Sequence, residues 1–387
     1  MRAHSGQDHR SGSRRNGRPR ALPVLAAVAV GVLAAGALAQ PAAFAAARPD
    51  SVQQGLNALV RADGIPGVLA SVQDREGHTR TYTAGVGDLA TGAAVPRNGQ
   101  VRIGSNTKAF TAVAVLQLVG EGKIGLDDPV DTYLPGLVRG EGIDGRAIKV
   151  RHLLQHTSGL PDYLNDVPRP RPYDPRELLG FALRHEATSE PGKKWAYSNT
   201  NYVLAGLIVE KVTEHPLAEE LERRVVRRAG LRHTYFPSPG ETGIREPHPQ
   251  GYDRESPGAP LTDVTEMDPS WAWAAGQMIS TNSDLNTFYT ALLSGRLLPD
   301  AQLAQMRTTV PAEYFGHGAR YGLGLVSKPL SCGGVYWGHG GSFPGYETRG
   351  GVREDGRAAA DIAVTIQPTD KAAMEHVEDV VDTALCR

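Results

Sequence analysis

Two cysteines in 387 residues are too few for a disulfide-dense scaffold or a thiolate metal centre. Aromatic residues make up only 6% of the chain, and 41 Lys+Arg nearly balance 42 Asp+Glu, so nothing marks a nucleic-acid-binding face. No Gly-x-Ser-x-Gly elbow occurs, which removes the usual α/β-hydrolase signature. His156 has no second histidine two or four residues after it and no following Glu at a ligand spacing, so it does not mark a metal site. No internal repeat is evident, and past the N-terminus no apolar run is long enough to span a bilayer. What remains, at 40% hydrophobic content, is enough to bury a large core in one big domain or two lobes.

The N-terminus stands apart from this. Arg2, Arg10, Arg14, Arg15, Arg18 and Arg20 face a single acid, Asp8, before a charge-free apolar run from Ala21 to Ala39. An Ala-x-Ala site follows, at Ala43-Phe44-Ala45 or Ala45-Ala46-Ala47. A basic, then apolar, then small-residue order predicts an export signal over residues 1–47, with an uncleaved anchor as the alternative. Its removal leaves an acidic chain placed in the extracellular or cell-wall zone. In an exported chain Cys332 and Cys386 read as one disulfide, worth about 4 kcal/mol, tying the last helix to a strand region. Two free buried thiols are the alternative.

Hydrophobic spacing predicts helices near Val52–Ala62, 105–121, Leu178–Arg184, Val203–Val212, Leu217–Ala229, Asp284–Leu293 and Asp370–Leu385. Strand patterns occur at 67–73 and 79–85, joined by the turn Asp74-Arg-Glu-Gly, and again at Tyr321–Ser327, Gly334–Gly338, Tyr346–Val352 and Ala358–Ile366. The proline-rich stretch 165–175 reads as a surface loop. Strands at both ends with helices between them predict an α+β fold: an antiparallel sheet built from the two termini and flanked by helices, with a mostly helical lobe inserted. The sheet lobe would cover about 48–125 and 275–387, and the helical lobe about 126–274.

Ser105-Asn106-Thr107-Lys108 opens an apolar helix, and residues i and i+3 share a helix face, so the Lys108 amine would stand beside the Ser105 hydroxyl. A buried amine loses its proton near neutral pH and can activate an alcohol. By itself the tetrad is common by chance, and a Ser N-cap with an exposed lysine would look the same. In Tyr197-Ser198-Asn199 a phenol near an amine could shuttle a proton between nucleophile and leaving group, and Asn199 could donate to a substrate carbonyl. Tyr163-Leu164-Asn165 has the same Tyr-x-Asn form, but the Pro191-Gly192 turn and a helix start frame residues 197–199. In Trp337-Gly338-His339-Gly340-Gly341-Ser342, glycines let backbone N–H groups approach a ligand closely, and His339 adds a donor; a solvated hairpin turn is the alternative. His156-Thr-Ser-Gly is read as a helix terminator.

Ser105-x-x-Lys108, His156-Thr-Ser-Gly-Leu-Pro, Pro191-Gly-x-x-Trp-x-Tyr197-Ser-Asn199, Ala275-Gly-x-x-Ile-Ser-Thr281, Tyr321-Gly-Leu-Gly-Leu and His339-x-Gly341 occur in the order found in penicillin-recognising serine hydrolases, which include class C β-lactamases. The chain resembles that superfamily over nearly all of residues 50–387, and within it the secreted D-alanyl-D-alanine carboxypeptidases of actinomycetes. The resemblance implies the β-lactamase/transpeptidase-like fold, acylation of Ser105, proton handling by Lys108 and Tyr197, and support of the tyrosine–hydroxyl network by His339. It implies substrate contacts from Asn199, Trp271, Gly341 and Ser342, an oxyanion held by the N–H groups of Ser105 and Ser342, and no metal or cofactor. Peptidoglycan stem peptides or related acyl compounds would be substrates and β-lactams inhibitors, with no nucleic-acid partner, and the chain would be a monomer. Two positions depart from the pattern. Val326 stands where the carboxypeptidases have an arginine for the terminal carboxylate, and Gly340 stands in place of a Thr or Ser. Lys328, on the same strand face as 326, is expected to restore carboxylate binding in part. The expected activity is therefore a penicillin-sensitive D-Ala-D-Ala carboxypeptidase. The alternatives are a β-lactamase, an esterase or D-amino-acid peptidase of the same fold, and a non-catalytic β-lactam-binding module.

Overall fold

A computed structural model describes residues 50–168, 171–256 and 258–387, so the export signal expected at 1–47 lies outside the described residues. The main sheet is antiparallel throughout and has ten strands among these residues. In spatial order they run Val310–Pro311, Arg320–Tyr321, Val326–Pro329, Val335–Gly338, Tyr346–Arg353, Ala359–Val364, Gly67–Gln73, Thr79–Asp88 and Ala93–Ala94, with Gly341–Phe343 paired to Tyr346–Arg353. The strand Gly67–Gln73 lies between the next strand in the chain and one from the far end: Val68 is opposite both Ala84 and Val364. The sheet is thus built from both termini, as expected.

Period-2 alternation sorts the central strands between two cores. Val68, Ala70 and Val72, with Ala360, Ile362 and Val364, face the two terminal helices, Ser51–Ala62 and Lys371–Leu385. These helices present Val52, Leu56 and Leu59, and Val377, Val381 and Leu385, at helical spacing. Asp50 and Asp370 cap them, accepting backbone N–H bonds from Val52 and Ala373. Leu69 and Ala363 point the other way, into the larger core shared with Thr107–Gly120, Thr200–Thr213 and Asn282–Leu293. Cys332 and Cys386 form a disulfide that joins the turn before Val335 to the end of the last helix.

The helix Thr107–Gly120 buries every residue from Thr107 to Leu118, which accounts for its lack of amphipathic spacing. Ser105 is not its first residue. It sits in a 3-10 turn, Gly104–Asn106, just before it. The expected strand Tyr321–Ser327 is broken into Arg320–Tyr321 and Val326–Pro329. Between them Gly324 adopts φ +80°, and a Cβ there would come within 2.6 Å of Ala112 in the buried helix. The helix expected over Leu217–Ala229 runs through a π turn at Glu222–Val226. The other expected elements occur with ends shifted by a few residues, as frayed and capped termini allow.

Candidate active site

Ser105 Oγ lies 3.0 Å from Lys108 Nζ and accepts a hydrogen bond from Tyr197 Oη at 2.8 Å. The amine, wholly buried, also reaches the Asn199 Oδ1 at 2.7 Å and the Ala275 carbonyl at 2.7 Å. Both of these oxygens can only accept. A neutral amine therefore spends its two N–H groups on them and turns its lone pair toward the Ser105 hydroxyl. Burial pushes Lys108 down to about 7, with the charge of Asp162 acting in the opposite direction. The neutral form is thus well populated at neutral pH. The alternative of an exposed lysine beside a Ser N-cap does not hold.

Tyr197 is the second partner of the Ser105 hydroxyl. Burial drives its phenol well above the ordinary tyrosine value, so it stays protonated and donates to Ser105. It packs over His156, ring centroids 4.4 Å apart. His156 does terminate a helix, Val150–Leu154, at φ +58°. Its buried imidazole also accepts at Nδ1 from the Ser198 N–H, which fixes the loop carrying Tyr197.

Asn199 has both ends engaged: besides Lys108, its Nδ2 donates to Asp162 Oδ2 at 2.8 Å. Asp162, whose carboxyl is raised by burial, thereby joins the network, and no spacing rule in the sequence pointed to it. His339 lies in the same cavity but its direct partner is Tyr321, not Tyr197. Nδ1 donates to the Gly340 carbonyl at 2.5 Å, which leaves Nε2 to accept from Tyr321 Oη at 3.1 Å. Burial, reinforced by the Lys108 charge, pushes the imidazole down to about 3, so it is neutral.

Two glycines bring the strand Gly341–Phe343 against the Ser105 turn. A Cβ on Gly341 would lie 1.9 Å from the Ile103 carbonyl. Gly104 adopts φ +46°, with its would-be Cβ 2.6 Å from the Ser342 carbonyl oxygen and 2.9 Å from its nitrogen. This contact sets the Ser342 N–H beside the nucleophile's own backbone. Trp271 stacks on Phe343 with centroids 4.8 Å apart and forms part of the cavity wall.

The cavity has a volume of about 800 Å³ and opens on Ser105, Tyr197, Asn199, Trp271, His339 and Ser342. Residues from positions 162, 199, 271 and 339 meet there although nearly 180 residues separate the first from the last. Lys328 reaches the same wall, where its amine is ion-paired with Glu378 of the last helix. Val326 is buried with Ala312 and Tyr321 under Phe315 and Trp195. Gly340 leaves room for Arg349, whose Nη1 would be 2.5 Å from a Cβ at that position. Arg349, Glu378 and Tyr314, which stacks on Tyr197, line the cavity without having carried any sequence signal. Among the described residues no group of three His, Cys, Asp or Glu could hold a metal ion, and no helix is long and apolar enough to cross a membrane.

A protein-family model described as Beta-lactamase matches residues 52–384. The crystal structure of a D-stereospecific amidohydrolase from Streptomyces sp. is 41% identical, with a TM-score of 0.78, covering 85% of this chain and 98% of its own. That of a D-amino acid amidase from Ochrobactrum anthropi SV3, complexed with L-phenylalanine amide, is 30% identical, with a TM-score of 0.76, covering 86% and 97%. Penicillin-binding protein 4* of Bacillus subtilis is 28% identical over 283 residues, 69% of this chain and 61% of that protein. The chain spans between 36% and 63% of the length of curated relatives that it matches, among them a putative penicillin-binding protein of Bacillus subtilis.

Proposed function

Because this chain belongs to the β-lactamase family, a set of penicillin-binding-like serine hydrolases, we propose that it is a D-stereospecific amidohydrolase acting through an acyl-enzyme on Ser105. The observation that carries the proposal is the Ser105 hydroxyl, held between a buried amine pushed down to about 7 and a protonated phenol, at the floor of an open cavity. The choice of D-configured amides is supported by the likeness to the Streptomyces amidohydrolase, of which this chain covers almost the whole length.

In this reading the Ser105 Oγ bonds to the carbonyl carbon as its proton passes to Lys108 Nζ. The Ser105 and Ser342 N–H groups hold the oxyanion. When the carbon–nitrogen bond breaks, the amine leaves with a proton relayed from Lys108 through the Tyr197 hydroxyl. Water then attacks the ester, with Lys108 taking its proton and Ser105 recovering its own. The D-Ala-D-Ala carboxypeptidase expected from the motifs is the second reading, favoured by the likeness to penicillin-binding protein 4*. Export by residues 1–47 belongs to the proposal as well and rests on their basic-to-apolar order alone.

The test is a turnover panel with D-phenylalanine amide, its L enantiomer, an acyl-D-Ala-D-Ala peptide and a chromogenic cephalosporin, with Ser105→Ala as control. Hydrolysis of the D amide, lost in the control, is expected. Cleavage of the peptide with the amide untouched replaces this reading by the second.

A further inference from the structure

Three charged side chains, Lys328, Arg349 and Glu378, line one wall of the cavity, and a fourth, Glu347, is buried beside them. Lys328 comes from the strand Val326–Pro329, Glu347 and Arg349 from Tyr346–Arg353, and Glu378 from the last helix. Lys328 is ion-paired with Glu378, and Arg349 with Glu347; Arg349 Nε also lies 3.6 Å from Glu378 Oε1. Glu378 touches both cations and, with 27% of its side chain exposed, is more open to the cavity than either. Lys371, further out, is paired with Glu375 at 2.8 Å. The lysines and arginine lining the cavity are thus each matched by a carboxylate.

This bears on what can leave from the scissile bond. A peptide ending in a free carboxylate brings a negative charge close to the reacting carbonyl, and binding it requires a cation with donors to spare. The position that could have held one, Val326, is apolar and covered. The position that could have offered a hydroxyl, Gly340, is filled from behind by the Arg349 side chain. Glu378 sits against both Lys328 and Arg349, and Glu375 pairs Lys371, so an incoming carboxylate would meet a neutral wall and the repulsion of Glu378 itself. An amide brings no charge and meets no such demand.

We propose that Glu378 is a specificity-determining residue, which by pairing Lys328 and Arg349 beside Gly340 disfavours carboxylate-terminated leaving groups and favours uncharged ones. The proposal rests on the amidohydrolase reading for its substrate but not for its test. The kcat/KM for acetyl-D-Ala-D-Ala is compared with that for its C-terminal amide in the wild-type chain, in Glu378→Gln and in Glu378→Gln with Lys328→Met. The acid-to-amide ratio is expected to rise about tenfold or more in Glu378→Gln, the scale of one charge-assisted hydrogen bond, and to fall back in the double variant. In parallel, calorimetry measures binding of the same two ligands to Ser105→Ala chains with and without Glu378→Gln, where no turnover is needed. An unchanged acid-to-amide ratio in both measurements overturns the proposal, even when the wild type hydrolyses amides. A wild type that hydrolyses no amide removes the amidohydrolase reading, and the binding ratio still decides the role of Glu378.

Discussion

Lys108 connects burial to chemistry most directly. Its amine is useful only when neutral, and a group pushed down to about 7 gains its neutral form as pH rises through that value. Acylation of Ser105, followed by intact-mass spectrometry with a labelled penicillin, should therefore rise along a limb centred near pH 7 and level off above it. Lys108→Arg keeps the charge and loses the lone pair, so kcat/KM should drop by about 10²- to 10⁴-fold across the profile. Asp162 supplies the opposing influence, since its negative charge favours the protonated amine. Asp162→Asn should thus move the limb to lower pH, and a limb that stays in place would show that Asp162 acts only through its bond to Asn199.

At the level of elements, catalysis depends on how closely one short strand lies against one turn. The backbone of Gly341 occupies space that any side chain would need, so Gly341→Ala must push the strand Gly341–Phe343 away from Ile103. A shift of about 1 Å there carries the Ser342 N–H off its station, and acylation should slow by about 10²-fold while far-UV circular dichroism stays unchanged. The elements themselves were largely legible in the sequence. Gly67–Gln73 and Ala359–Val364 read as short apolar runs because both faces are buried, and the helical spacing of the last helix comes from burial on one face; both patterns are local. The Ser105, Lys108 and Tyr197 cluster was legible because helix geometry and ordered motifs carry it. The charged wall was not, because Lys328, Arg349 and Glu378 come from three elements and nothing in the linear order encodes their meeting. The engagement of His339 with Tyr321 was missed for the same reason: it is made across the intervening strand Val326–Pro329, and the motif does not encode it.

For the molecule as a whole, the disulfide pins the last helix to the sheet across 54 residues of chain. Loop closure on that scale restricts the unfolded state by an amount worth about 4 kcal/mol. Cys386→Ser should lower the unfolding free energy by about that much in denaturant titration, with a steeper slope because the unlinked unfolded chain is less compact. The last helix contributes Val377, Val381 and Leu385 to the core and Glu378 to the cavity, so its loosening should also blur discrimination between acid and amide substrates. The pairing of Gly67–Gln73 with Ala359–Val364 has a consequence for how the protein comes into being. The Gly67 N–H bonds the Thr365 hydroxyl, a partner 298 positions later, so one side of the strand Gly67–Gln73 waits for its neighbour until those later residues have been made. A growing chain that already holds Ser105 and the helix after it has the first hairpin, Gly67–Gln73 with Thr79–Asp88, but none of the strands on its other side. Hydrolytic competence therefore waits for Ala359–Val364 to close the sheet beside the hairpin made long before it.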